Sequence, residues 1–372
     1  MRLTEGKLAG LIVHEWIERV GGAEKVLDAF VDEFPDSDLF CLWNDAPGRY
    51  RQRVTESKLS RGPLRGRKAL ATPFMPRVWK NLQNDSYDWM LVSSHLFAHQ
   101  AHLPGLDPDR KFVYAHTPAR YLWEPELDAR GDLMAVRAVA PVLRAIDAKS
   151  AHNHRNVAAN SGFVRDRIER TWDVEAQVIH PPVDVERLQA VPDWRDELTV
   201  ADAAVIESLP DAYILGASRF VPYKSLDVVI AAGAAAGIPV VIAGGGPDED
   251  RLQAVAADSG ADVRFVIRPS DELLAALMQH ATAYVFPPVE DFGIMPVEAM
   301  ALGTPVVVNG AGGASESLAE GKSGVTLSDF SGRSLSEAVS TAAQLDSEAC
   351  RTQAQAFSED RFQREIRAWM SL

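Results

Sequence analysis

Residues 211–250 read DAYILGASRFVPYKSLDVVIAAGAAAGIPVVIAGGGPDED. A short apolar run at 213–217 leads into a loop that carries Arg219 and Lys224. A helical run follows at 225–236, Gly237 and Pro239 break it, and a second apolar run at 239–243 ends in three glycines. Apolar runs this short, with no polar face, read as strands buried on both sides, and helices between them make a parallel sheet with crossovers. The uncharged stretch 228–246 has the length of a membrane span. It is mostly Ala and Gly, however, and Gly237 and Pro239 divide it into helix, turn and strand.

The alternation continues in both directions. C-terminal to the stretch it predicts helices at 249–257, 271–280 and 296–302 and strands at 263–267, 283–286 and 305–309. N-terminal to it, strands are expected at 8–14, 38–42, 88–93, 111–116, 156–160 and 177–180. After a Gly21-Gly22 turn, Val26, Leu27, Phe30, Val31 and Phe34 share one helix face, and Pro35 stops that helix. The polar, proline-bearing stretch from Pro181 marks a boundary. The 372 residues thus predict an α/β chain of two doubly wound, Rossmann-like domains facing a cleft, 1–185 and 186–355. A terminal amphipathic helix follows in 356–372, capped at Ser358 and carrying Phe362, Ile366, Trp369 and Met370 at helical spacing.

Composition narrows the partners. Net charge is −14, which disfavours nucleic acid. Cys41 and Cys350 form no zinc-type spacing and no disulfide framework, and MRLTEGKLAGLIVHEW has no signal-peptide pattern, so a cytoplasmic protein is expected. The charge is uneven: between Arg49 and Lys80 ten basic residues face one acid, +9, against −23 for the remainder. A solvated face is the plain explanation. Leu59, Leu64, Leu70, Phe74, Met75 and Trp79 interleave with the cations, which also fits peripheral attachment to an anionic membrane through a patch at Arg61, Arg65, Arg67 and Lys68.

Ligands of open α/β sheets bind beyond the carboxyl ends of strands. In PPVEDFGIMPVEAMALG, Glu290 lies in the loop after a strand, Gly293 permits close approach, and Pro296 suits a first helical position with Glu298 in the first turn. Carboxylates there serve either as caps and solvated charges or as acceptors for sugar hydroxyls. Arg219 and Lys224 are either surface cations or the counter-charge of a diphosphate. His116, in VYAHTPARYLWE, ends a buried strand. Gly21-Gly22 opens a helix and is either a tight turn or room for a phosphate. Gly244, Gly245 and Gly246 lack the full dinucleotide-binding spacing.

Taken in order, these segments resemble glycosyltransferase family 4, retaining enzymes of GT-B fold. The resemblance rests on Glu290 and Glu298 in EDFGIMPVEAMALGTPVVVNGAGGASE, SRFVPYK, GGAEKVL, YAHTPARYLW, and NSGFVRDRI followed by VIHPPVD. HTPARYLW and VIHPPVD are closest in style to bacterial mannosyltransferases of polysaccharide assembly. The resemblance implies that Arg219 and Lys224 hold a donor diphosphate, that Glu290 meets the transferred sugar and that Glu298 holds the ribose. It also implies that the backbone of Phe292, Gly293, Ile294 and Met295 touches phosphate and sugar, that His116 sits beside the sugar, and that Gly21 and Gly22 sit beside the diphosphate. His116, Glu290, Arg219 and Lys224 would be the catalytic set, and the last helix would cross back to the first domain. Where the family often has a glycine to receive the base, this chain has Ile267, followed by Arg268, so the base is open between guanine and uracil.

The expected reaction is transfer of a hexose, mannose favoured, from a nucleotide diphosphate sugar, GDP-mannose or a UDP-sugar, to a glycan or lipid-linked glycan. No Asp-x-Asp motif appears in the segments that carry the resemblance, so no metal and no further cofactor are expected. A nucleotide-sugar epimerase or phosphorylase on the same fold, or a non-catalytic two-lobed sugar-binding protein, are the alternatives.

Overall fold

The computed structural model describes residues 8–83, 87–125 and 134–371. The chain forms two compact units, Met1–Pro182 with Asp360–Leu372, and Val183–Glu359.

The first unit is built on seven parallel strands: β1 (Gly10–His14), β2 (Asp38–Cys41), β3 (Val54–Glu56), β4 (Trp89–Ser94), β5 (Lys111–Ala115), β6 (Asn156–Ala159) and β7 (Gln177–Val178). Their order is β3-β2-β1-β4-β5-β6-β7. The sheet is buried on both faces, so consecutive residues feed two cores. Leu11, Val13, Met90 and Val92 enter one, with Trp43, Met75 and Trp79. Ile12, Leu91, Phe112 and Tyr114 enter the other, where the helix Gly22–Glu33 adds Val26, Leu27, Phe30 and Val31.

The C-terminal helix Glu359–Met370 covers this second core. Phe362, Ile366 and Met370 are buried there, and the Phe362 ring lies 5.5 Å from Phe30 and 5.8 Å from Tyr114. Each such side chain contributes about 1.5–3 kcal/mol through burial. Arg367 adds a two-pronged ion pair with Glu33, at 2.5 and 2.8 Å.

The second unit carries β8 (Ile214–Arg219), β9 (Val240–Gly245), β10 (Val263–Ile267), β11 (Ala283–Phe286), β12 (Val306–Asn309) and β13 (Gly324–Leu327), all parallel, in the order β10-β9-β8-β11-β12-β13. Both sheets are therefore doubly wound α/β layers, as expected. Each has one strand that the sequence pattern did not yield. β3 (VTE) and β13 (GVTL) are edge strands, short and partly exposed, and carry no buried alternation.

One helix boundary needs correction. The helix after β11 runs Ile294–Ala301, with Gly293 as its N-cap, rather than starting at Pro296. Pro296 is the third helical residue, where the N–H has no intrahelical partner and its loss costs nothing. Glu298 consequently lies beyond the first turn.

Candidate active site

In the second unit the chain reverses its direction of travel across the sheet between β8 and β11. Loops leaving adjacent strands at such a point diverge and open a crevice beyond their carboxyl ends. β8 is followed by the turn Pro222–Lys224, and Ser225 adopts φ 50° before the helix Leu226–Ala236 begins. β11 is followed by the loop bearing Glu290. The two loops meet: Lys224 Nζ lies 2.5 Å from Glu290 Oε1, with the two side chains 14% and 17% exposed.

The Glu290 loop is braced by the segment after β12. Gly313 N donates to Glu290 O at 2.8 Å, and Asn309 Nδ2 donates to Pro287 O at 2.9 Å. A Cβ on Gly313 would fall 2.0 Å from Asp291 O, so only glycine lets the two backbones touch. Gly293, at φ +99°, turns the chain into the helix Ile294–Ala301, and a Cβ there would crowd Ala314 at 3.1 Å and Phe286 at 3.3 Å. Ile294 and Met295 then begin a helix whose first N–H groups and dipole favour an anion.

Arg219 ends β8 in an exposed position and donates from Nη2 to Tyr223 Oη at 2.7 Å. Glu298 is half-buried on the same helix. Burial, and then the charges of Glu298 and Glu290, push the Tyr284 phenol well above its usual range, so both carboxylates act on one buried neighbour. The structure thus brings Lys224 and Glu290 into contact and puts Arg219, Glu298 and the Gly293 turn on the elements around them.

Ile267 and Arg268 lie at and just past the end of the edge strand β10. Ile267 is 42% exposed. Arg268, at φ 51°, donates its N–H to Gly244 O at 2.7 Å, and its side chain lies against Gly245. Gly244, in β9, and Gly246, just after it, have a packing reason: Cβ atoms there would fall 1.9 Å from Ser218 O and 2.5 Å from Phe220 O.

The first unit has its own reversal, between β1 and β4, and a polar cluster occupies the strand ends there. His14 ends β1, Ser93 and Ser94 end β4, and His116 follows β5. Ser93 Oγ bridges the rings, 2.9 Å from His14 Nδ1 and 2.8 Å from His116 Nε2. Glu24 Oε1 lies 4.0 Å from His14 Nε2 and accepts the Glu18 N–H at 3.0 Å. Burial raises the Glu24 carboxyl, but His14 and backbone N–H donors outweigh it and hold the group at about 2. His116 is held well below the usual imidazole range, by burial first and then by His95 and His14. Its Nδ1 has no hydrogen-bond partner among the described residues.

Glu15 caps the turn after β4. It accepts from Ser94 Oγ and from the backbone N–H groups of His95, Leu96 and Ala98, at 2.8–3.3 Å. His14, Glu15 and His95 bring one ligand-type atom each within 4.8 Å of one another. With four donors already on Glu15, the trio reads as a capping unit rather than a metal centre. Glu15, Glu24, Ser93 and His95 escaped the sequence reading. Their one signal is position, since His14-Glu15 and Ser93-Ser94-His95 fall where buried strands end.

Gly21 makes room within the protein itself. A Cβ there would lie 2.0 Å from Glu24 Oε2, so the missing side chain makes room for the protein's own carboxylate. Gly22 is the first residue of the helix and is exposed.

The basic segment is more self-neutralised than its composition implies. Arg65 pairs with Asp45 and Glu56, Lys68 with Glu18 at 2.7 Å, Arg49 with Asp28, and Arg53 with Asp38. Met75 and Trp79 are core residues, and Leu59 and Leu64 pack against that core. Leu70 and Phe74 remain exposed, as do Arg61 and Arg67 of the same segment. Phe74 also lines a cavity of about 620 Å³ with Phe40, Leu59, Val78, Lys58 and Arg77. No helix among the described residues is long and apolar enough to cross a membrane.

Two family models cover most of the chain, "Glycosyltransferase Family 4" over residues 20–187 and "Glycosyl transferases group 1" over 203–358. A GDP-mannose-dependent alpha-(1-6)-phosphatidylinositol monomannoside mannosyltransferase of Mycolicibacterium smegmatis is 30% identical over 219 residues, 51% of this chain and 53% of the relative. A D-inositol 3-phosphate glycosyltransferase of Streptomyces griseus is 33% identical over 198 residues, 45% of this chain and 41% of the relative. The chain thus spans about half the length of the curated relatives it matches. Among solved structures, Anabaena HepE in complex with UDP superposes with a TM-score of 0.72 at 16% identity, covering 98% of this chain and 100% of that one. A sucrose-phosphate synthase from Thermosynechococcus elongatus gives 0.70 at 17% identity, covering 97% of each chain. Doubly wound units with a charged strand-end site are the architecture of the GT-B glycosyltransferases. The chain belongs to glycosyltransferase family 4.

Proposed function

We propose that the chain is a retaining glycosyltransferase that moves a hexose, mannose favoured, from a nucleotide diphosphate sugar to a glycan or lipid-linked glycan. The observation that carries this reading is the Lys224–Glu290 contact at the β8/β11 reversal. A half-buried cation beside a carboxylate, next to a helix N-terminus, offers a place for a diphosphate and for the hydroxyls of the sugar attached to it. GDP-mannose is favoured over a UDP-sugar because the mycobacterial relative is named for that donor.

In this mechanism Arg219, Lys224 and the N–H groups at Ile294 and Met295 take the diphosphate charge that grows as the bond from the anomeric carbon to the phosphate oxygen breaks. Lys224 turns from Glu290 toward that charge, and Glu290 accepts sugar hydroxyls. Glu298 accepts from the ribose. The acceptor oxygen bonds to the anomeric carbon on the face the diphosphate leaves, and its proton passes to a diphosphate oxygen. The protein's own cations do the work that a divalent ion does elsewhere, so neither metal nor cofactor takes part.

The acceptor is proposed to be presented at an anionic membrane surface, with the protein cytoplasmic and peripheral. Support comes from exposed Leu70 and Phe74 together with Arg61, Arg65, Arg67 and Lys68; Arg65 and Lys68 share part of their charge with Asp45, Glu56 and Glu18.

The test is transfer from GDP-mannose and from UDP-glucose, each labelled, to a bacterial lipid extract in EDTA. Label should move from GDP-mannose into a product with the donor's anomeric configuration. Inversion, or hydrolysis without transfer under every acceptor condition, would refute the assignment.

A further inference from the structure

Glu24, His14, Ser93 and His116 form a single line of contacts across the β1/β4 reversal, at 4.0, 2.9 and 2.8 Å. Three of the four are essentially removed from solvent: Glu24 is 3% exposed, His14 1% and Ser93 0%. Only His116, at the end of the line, is partly exposed. His14 Nε2 is buried and makes no hydrogen bond to any described residue, while the Glu24 carboxylate faces it.

The order of donors in such a line is not free. A serine hydroxyl has one proton, so Ser93 donates to one ring and accepts from the other. In a neutral His14 the single ring proton sits on Nε2 or on Nδ1. If it sat on Nδ1, the bare lone pair of Nε2 would face the Glu24 carboxylate in a buried site, which is repulsive. With the proton on Nε2, the ring turns its N–H to the carboxylate and its Nδ1 accepts from Ser93. Ser93 must then accept from His116 Nε2–H. His116 is left with its proton committed inward and with Nδ1 outward as a bare acceptor.

We propose that Glu24, His14 and Ser93 are positioning residues that hold His116 as its Nε2–H tautomer and present Nδ1 as a hydrogen-bond acceptor for a hydroxyl of the bound sugar. This rests on the glycosyltransferase reading for the identity of the ligand, but the tautomer is a property of the free protein. The chemistry has a direct consequence. The His116 edge favours a hydroxyl donor and disfavours a phosphate oxygen, which has only lone pairs to offer. The group it serves is therefore a hydroxyl and not a diphosphate oxygen. Gly21 fits the same account, since its missing Cβ leaves the space that Glu24 Oε2 occupies. The other charged groups around the line, Glu15, His95 and Lys68, are engaged elsewhere: Glu15 by the turn after β4, His95 by Glu15 at 3.2 Å, and Lys68 by Glu18 at 2.7 Å.

The full chain, labelled with 15N only in its histidine rings, reads the tautomer through long-range proton–nitrogen correlations at about pH 8. His116 is assigned by loss of its signals in His116→Gln. The expected result is a proton on Nε2 of both His116 and His14. A proton on Nδ1 of His116, or a doubly protonated His116, would overturn the proposal. Ser93→Ala, checked for fold by circular dichroism, should turn His116 into a tautomer mixture and lower kcat roughly tenfold, with a smaller change in KM for the donor. An unchanged His116 spectrum in Ser93→Ala would also overturn it. If the wild-type protein transfers no sugar but shows the Nε2–H ring, the enzymatic reading fails while the relay stands.

Discussion

Lys224 Nζ and Glu290 Oε1 are 2.5 Å apart, although 66 residues separate them in the chain. The contact joins the loop after β8 to the loop after β11. It keeps a half-buried cation and a half-buried carboxylate from facing each other's surroundings unpaired. A diphosphate that draws Lys224 away frees Glu290 to accept hydroxyl hydrogen bonds, so in the proposed reaction one ion pair couples the anion site to the sugar site.

Removing either partner leaves the other charge without its complement, but the losses should differ in kind. Glu290→Gln keeps shape and hydrogen-bonding capacity and removes charge. It is expected to lower kcat on the order of 10²-fold with little change in donor affinity. Glu298→Gln, on the neighbouring helix, should chiefly weaken donor binding. Steady-state kinetics on both variants, with circular dichroism as a fold control, checks this. Full activity in either one contradicts its assigned role.

Activity should survive exhaustive EDTA treatment, because Arg219 and Lys224 supply the positive charge. An assay with EDTA, then with added Mg²⁺ or Mn²⁺, decides the matter. Activity that disappears and returns with the metal would show that a bound ion shares the work.

Glu24 makes an acid-stability prediction. Its folded-state pKa, about 2, lies below the ordinary 4.5. A carboxyl whose folded pKa is lowered stabilises the fold above the unfolded-state value, and that contribution is lost as pH falls through the folded value. On the order of 2 kcal/mol should go between about pH 6 and pH 3. Urea unfolding across that range should show a shallower loss for Glu24→Gln than for wild type. Parallel curves would mean that the His14 contact contributes nothing to stability.

Leu70 and Phe74 are exposed and apolar, and Arg61 and Arg67 of the same segment are exposed as well. Co-sedimentation with phosphatidylglycerol vesicles is expected at low salt and should weaken as salt screens the cations. Leu70→Ser with Phe74→Ser should abolish it. Equal, negligible binding to phosphatidylglycerol and phosphatidylcholine would make the segment an ordinary solvated face.

How much of this could be read beforehand follows the range of the interactions. β1, β8 and β11 are buried on both faces and announce themselves as short apolar runs between helical ones. β3 and β13 do not, because an edge strand of three or four partly exposed residues has no pattern to display. The placement of Pro296 was misread because proline is tolerated throughout the first helical turn and not only at its first position. The positions of Arg219, Lys224, Glu290 and His116 at strand ends, and of Glu298 on the helix that follows, were legible from local loop-and-helix context. The line from Glu24 through His14 and Ser93 to His116 was not, since its contacts span 79 and 23 residues and arise only once β1, β4 and β5 lie side by side. The ion pairs of Arg65 and Lys68 were hidden for the same reason. Charge counting along a segment cannot see partners contributed by other segments.

The central claim, that Lys224 and Glu290 mark a metal-free site for a nucleotide diphosphate sugar, is tested most directly by calorimetric titration of GDP-mannose in EDTA. Wild type and Lys224→Gln are compared, with Leu70→Ser, in the first unit, as a control. Wild type and the control should bind equally, and Lys224→Gln should bind at least about tenfold more weakly. Equal binding by all three proteins, or binding by wild type that requires added divalent metal, would contradict the account.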